Sequence, residues 1–325
     1  MDVVGEIRDR EISFFGGKGG VGKTTLATAF ALWSAEQGRK TLLISTDRAH
    51  STSHILDATL GPEPRQVYDH CWAVEIDPER EATAFIDDVK LRIAESTAPR
   101  LVEEVERQID IARVSPGAEE AALFERFARI IEEATDDFDR LVFDTAPTGQ
   151  TLRLLSLPEL MNTWISGLID RRRKVNSLAR MWRNVAGAAA GDNKKDDDPV
   201  VCALEERQAR FRRVREFLTD ASRTGFSFVI TPERLPILET ERAVSVLVKY
   251  GIPVGAIFVN RVIPNDVHGE FLNRRREREV VYLEHIARIF GSRPLFQVPL
   301  SDRDVIGVDA LRRLSVSRWD RANRE

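Results

Sequence analysis

Gly17-Lys18-Gly19-Gly20-Val21-Gly22-Lys23-Thr24 decides the reading of this 325-residue chain. It sets Gly, Gly, Lys and Thr at the spacing of a phosphate-binding loop. An apolar run, Ile12–Phe15, precedes it, and Leu26, Ala29, Phe30 and Trp33 follow on one face of a helix that Gly38 stops. In such a strand-loop-helix unit the backbone N–H groups curl around phosphate oxygens, and the helix N-terminus adds partial positive charge. Lys23 then reaches the β and γ phosphates of ATP, the Thr24 hydroxyl ligates Mg²⁺, and Thr25 completes the nucleotide-binding stretch. Lys18, a second lysine inside the loop, is unusual there because a cation among N–H donors is costly unless an anion is near.

Working outward, short apolar runs recur at Thr41–Ser45, Trp72–Ile76, Leu141–Phe143, Phe226–Ile230, Val254–Val259 and Leu295–Val298. Unbroken runs of that length fit strands of a parallel sheet covered on both faces. A helix over Glu239–Tyr250 groups Val244, Leu247 and Val248 before Gly251 and Pro253. The alternation predicts an α/β fold, a doubly wound, mostly parallel sheet of the P-loop NTPase kind. Residues 78–136 and 156–222 read as almost wholly helical. They imply a helical subdomain inserted by two excursions into a nucleotide-binding core of about 10–77, 137–155 and 223–325, the whole being one domain over 1–325.

Ligands of open α/β sheets bind beyond the carboxyl ends of the strands. Two acidic turns sit there, Ser45-Thr46-Asp47-Arg48-Ala49-His50-Ser51 and Phe143-Asp144-Thr145-Ala146-Pro147-Thr148-Gly149-Gln150. Asp144 ends a hydrophobic strand and so holds the Walker B place, on Mg²⁺ directly or through water. Either Asp also suits the N-cap of a following helix. In the second excursion Leu157, Leu160, Met161, Trp164, Ile165, Leu168 and Ile169 keep helical spacing. That face fits either a client-binding groove or an ordinary subdomain core.

Gly17-Lys18-Gly19-Gly20-Val21-Gly22-Lys23-Thr24-Thr25 resembles the deviant Walker A signature of the nucleotide-dimer ATPases, a class that includes the iron protein of nitrogenase, MinD, ParA and ArsA. The resemblance implies that Lys18 reaches across a dimer to the partner's nucleotide. Asp47–Ser51 and Asp144–Leu155 resemble switch I and switch II of the ArsA family of anion-pump and tail-anchored-protein targeting ATPases. This implies that Asp47 orients the attacking water and that Asp144–Gly149 reports the γ-phosphate to the helical subdomain. Thr231-Pro232-Glu233 and Glu239-Thr240-Glu241-Arg242 resemble another family block, and Val259-Asn260-Arg261 ends a strand where the family recognises adenine, which assigns Asn260, and less directly Glu233, to the base. Arg48 and Gln150 stand where the family usually has proline and histidine. Nothing matches the arsenite cysteine triad, and no CxxC pair follows Asn260, so no zinc is expected.

Composition bounds the alternatives. With 48 basic and 52 acidic residues and a net charge of −4, no nucleic-acid partner is implied. No leader segment and no apolar run long enough for a membrane span is read, so the chain is expected in the cytoplasm, reaching a membrane only through a partner. Two scattered cysteines and three methionines leave any groove to Leu, Ile, Phe and Trp. The reading is an ATP-hydrolysing homodimer that targets hydrophobic membrane-protein segments. The alternatives are the catalytic subunit of an arsenite pump coupled to a membrane permease, and a positioning ATPase like MinD or ParA. One ATPase unit fits in 325 residues, so a second copy completes each site.

Overall fold

A computed structural model describes residues 7, 9–46, 51–77, 79–81, 83, 84, 87, 118–145, 165–167, 169, 170, 173, 174 and 199–314. In chain order the elements are β1 (Ile12–Gly16), α1 (Lys23–Glu36), β2 (Thr41–Ser45), α2 (Ser51–Leu56), β3 (Arg65–Tyr68), β4 (Cys71–Glu75), α3 (Ala118–Asp137) and β5 (Arg140–Asp144). They continue with α4 (Pro199–Thr219), β6 (Thr224–Ile230), α5 (Arg234–Lys249), β7 (Val254–Val262), α6 (Glu270–Phe290), β8 (Leu295–Pro299) and α7 (Val308–Arg313).

The eight described strands form one sheet in the order β3-β4-β2-β5-β1-β6-β7-β8, and every pairing is parallel except β3 with β4. All seven apolar runs read from the sequence are strands, with ends displaced by no more than three residues. The run of burial along each central strand explains their legibility: β1, β2, β5 and β6 are buried at every position. β3 was not anticipated. It is an exposed edge strand with no apolar run, joined to β4 through Asp69-His70, where His70 takes a φ of 55°.

Alternate side chains feed two cores. Ile12 and Phe14 of β1 enter one, with Phe143, Phe226 and Phe228, and α3, α4, α5 and α6 cover it. Phe14 stacks on Phe143 at 4.8 Å between ring centroids and on Phe226 at 5.6 Å. Phe15 enters the other core, against Phe30 of α1 and Phe258 of β7. Burying each such ring fully contributes about 2–3 kcal/mol. An ionic cluster locks α3 to α4: Glu125 pairs with Arg207 and Arg210, and Glu132 with Arg210 and Arg213.

Two helical expectations change. α1 was read as buried on one face, yet it is buried almost all round, because α2 and α7 pack on it as well as the sheet. α5 starts five residues earlier than expected, with Pro236 in its first turn, where a missing N–H costs nothing. Its Val248 is 58% exposed, and the buried stripe runs through Ile237, Thr240, Val244 and Leu247. In the charged run Arg274–Glu279 of α6, Arg274, Arg275, Glu277 and Arg278 are exposed. Glu279 is instead buried, accepts the Ile263 N–H at 3.0 Å, and has its pKa raised by loss of water.

Candidate nucleotide-binding site

Strand order places the loop after β1 at the middle of the sheet, with β5 and β2 on one side and β6 on the other. Register then aligns the neighbouring strand ends. Phe15 is opposite Asp144, Asp144 opposite Ser45, and Ser45 opposite Glu75, so two carboxylates and a hydroxyl stand in one row beside the loop.

The loop is shaped by its glycines at both ends. A Cβ on Gly17 would lie 2.3 Å from the Val229 carbonyl oxygen of β6, and one on Gly22 would lie 2.3 Å from Asn260 Nδ2. Gly22 also caps α1 with a φ of 95°, a left-handed conformation open to glycine at little cost. Between them Val21 is buried, while Gly19 and Gly20 face solvent. Lys23 and Thr24 are buried in the first turn of α1, and Thr25 is half-buried. Lys23 Nζ reaches back to the Lys18 carbonyl at 3.2 Å.

Asp144 is fully buried at the end of β5. Its carbonyl accepts the Thr46 N–H at 3.0 Å, and its Oδ2 accepts the Thr52 hydroxyl at 3.5 Å. Ser51 Oγ lies 3.3 Å from Thr24 Oγ1. The first residues of α2 therefore meet both side chains assigned to the metal. Asp47 itself falls between the described residues, as do Leu157, Leu160, Met161, Trp164 and Leu168 of the predicted client face. Ile165 and Ile169 of that face are described, and both are buried in the core shared with α3 and α4.

Two residues expected at adenine are engaged within the chain. Asn260 Nδ2 donates to the Val21 carbonyl at 2.8 Å, and its Oδ1 accepts the Arg261 N–H at 2.9 Å. Its amide thus braces the phosphate loop. Glu233, at the head of α5, is exposed and pairs with Arg275 of α6 at 3.1 Å. Lys18 pairs with Glu239 of α5 at 3.0 Å, both half in solvent.

The family model for anion-transporting ATPases of the ArsA type matches residues 10–317. The chain belongs to the ArsA ATPase family. The ArsA match takes in every described strand and the phosphate loop, and it makes the chain an ATPase. Among relatives, a protein of Aquifex aeolicus (strain VF5) with the provisional name arsenical pump-driving ATPase 2 is 34% identical over 94% of this chain and 97% of its own length. ATPase ASNA1 homolog 1 of Paramecium tetraurelia is 30% identical over 92% of this chain and 89% of its own. ATPase GET3A of Arabidopsis thaliana is 30% identical over 93% and 82%. ArsA relatives therefore carry names of more than one kind. Among the described residues no helix is long and apolar enough to cross a membrane.

Glu75, and the pairing of Glu239 with Lys18, were missed in the sequence. Glu75 carries the same signal that found Asp144, an acid closing an apolar strand. The block holding Glu239 resembles the family, but nothing tied it to Lys18, which is 221 positions away (239 − 18) and joined to it only by folding.

Proposed function

We propose that the chain works as a homodimer switched by ATP, and that it shields hydrophobic segments of membrane proteins. The observation that carries the switch is the meeting of Thr24, Ser51, Thr52 and Asp144, which ties the start of α2 to the phosphate loop and to β5. These are hard oxygen donors, the kind Mg²⁺ prefers, so Thr24 and Asp144 fit that ion. Bound there, Mg²⁺ supplies charge neutralisation at the β and γ phosphates. Lys23 and the loop N–H groups hold the phosphates, and Asp47 orients water at the γ-phosphate. When the γ-phosphate leaves, α2 loses what its first turn was ordered around, and the change passes to the helices above.

Asp47→Asn tests this reading. It is expected to lower phosphate release at saturating ATP by about 10²–10³-fold while nucleotide affinity stays within about threefold. Unchanged turnover would remove Asp47 from the role.

Lys18 must leave Glu239 to reach a second copy. A half-exposed pair contributes about 0–1 kcal/mol, so the exchange is cheap. Glu239→Gln is therefore expected to tighten ATP-dependent dimerisation by at most about fivefold in sedimentation, and to leave the ADP form unaltered.

A pump-driving role is the second reading, favoured by the name of the Aquifex relative. Against arsenite stands Cys71, a buried thiol whose pKa burial pushes up to about 12. Protection of a hydrophobic-tailed protein from aggregation supports the targeting role, and stimulation of turnover by arsenite would support the pump.

A further inference from the structure

We infer that Glu75 is a positioning residue for the hydrolytic step, holding the first turn of α2 in register with Thr24 of the phosphate loop and with Asp144. This deepens the ATPase reading and rests on it. Glu75 ends β4 and is only 5% exposed. A carboxylate that deep in the protein needs hydrogen bonds in place of water. One residue of α2 supplies two: Ser53 donates its N–H to Oε1 at 3.0 Å and its hydroxyl to Oε2 at 2.6 Å. The same Ser53 hydroxyl accepts the Leu60 N–H at 3.2 Å, which folds the chain after α2 back onto it. A bidentate grip of this kind fixes orientation as well as distance.

What Glu75 holds matters because of the two residues before Ser53. Ser51 meets Thr24 and Thr52 meets Asp144, so the turn gripped from the β4 side is the turn that touches the assigned Mg²⁺ residues on the other. The segment has a second anchor at its start, where the Thr46 N–H is held by the Asp144 carbonyl at 3.0 Å. Thr46, just after β2, is thus tied to β5, and Ser53, in α2, is tied to β4. The strand register makes both anchors neighbours of one row, Asp144, Ser45 and Glu75. Glu75 needs no contact with ATP to act. It sets where the first turn of α2 stands against Thr24 and Asp144.

The test uses the full chain with Glu75→Gln, Ser53→Ala and the double variant, assayed for Mg-ATP turnover, KM and fluorescent ADP binding. Turnover is expected to fall by about tenfold in each single variant, with ADP affinity and KM within about threefold of the parent. The Mg²⁺ concentration giving half-maximal turnover rises. The double variant is no slower than the worse single one, because both changes cut the same link. Ser53→Ala carries the test if Glu75→Gln does not fold. Equal turnover and equal Mg²⁺ dependence in the folded variants, with only a lower melting temperature, would overturn the proposal and leave the ATPase reading standing. A parent chain that does not hydrolyse ATP would overturn both.

Discussion

Replacing Lys23 with alanine is expected to cut ATP turnover by about 10³-fold or more, while the protein keeps its fold. The ammonium of Lys23 is buried at the first turn of α1 and held by the Lys18 carbonyl, a neutral acceptor. Its place in the first turn of a helix that opens from the glycine loop sets it where the phosphates of ATP would lie. Charge developing on the transferred phosphoryl group is then met by a group already in place, the largest kind of contribution available to this chemistry. Alanine removes that contribution. Melting temperature should hold within a few degrees, and calorimetry should show ATP binding weakened. Release of phosphate near the parent rate would show that Lys23 is not at the γ-phosphate.

Gly17→Ala is expected to be the most damaging small change in the site, destabilising the chain by about 3 kcal/mol or more and abolishing nucleotide binding. The added Cβ would stand 2.3 Å from a backbone oxygen of β6, and Gly17 has a φ of 151° that side chains rarely adopt. Relief by rotamer change is closed, because the obstacle is main chain. Either the loop lifts from the sheet or the β1 and β6 pairing at Gly16 and Phe228 opens. Gly19→Ala serves as the control: a Cβ there meets nothing within 4 Å, and that variant should melt with the parent. Thermal unfolding followed beside calorimetric ADP binding separates the two. Parent-like stability in Gly17→Ala would mean the loop sits away from Val229.

The architecture was legible where burial is continuous. β1, β2, β5 and β6 are covered on both faces, so their residues are apolar in unbroken runs that a reader can find without a partner strand. β3 is invisible by the same logic, since an exposed edge strand need not be apolar. The phosphate loop was legible because its glycines answer to local backbone geometry. Asp144 was legible as an acid closing a strand. What the sequence did not show for Asn260 is its bond to Val21, a contact between positions 239 residues apart that no spacing rule records. Glu239 escaped for the same reason, its link to Lys18 being purely tertiary. Glu279 misled in the opposite sense, a charge inside a charged run that folding buries against Ile263.

The central claim is that each site borrows Lys18 from a second copy, and subunit mixing tests it most directly. Lys18→Ala and Asp47→Asn homodimers should each be nearly inactive, since both of their sites lack one part. In a mixed dimer, the site on the Lys18→Ala subunit keeps its own Asp47 and receives Lys18 from its partner. Equal mixing makes about half of the dimers mixed, with one of two sites whole, so turnover should recover to roughly one quarter of the parent value. Turnover no higher than the mean of the two variants alone would contradict the shared site.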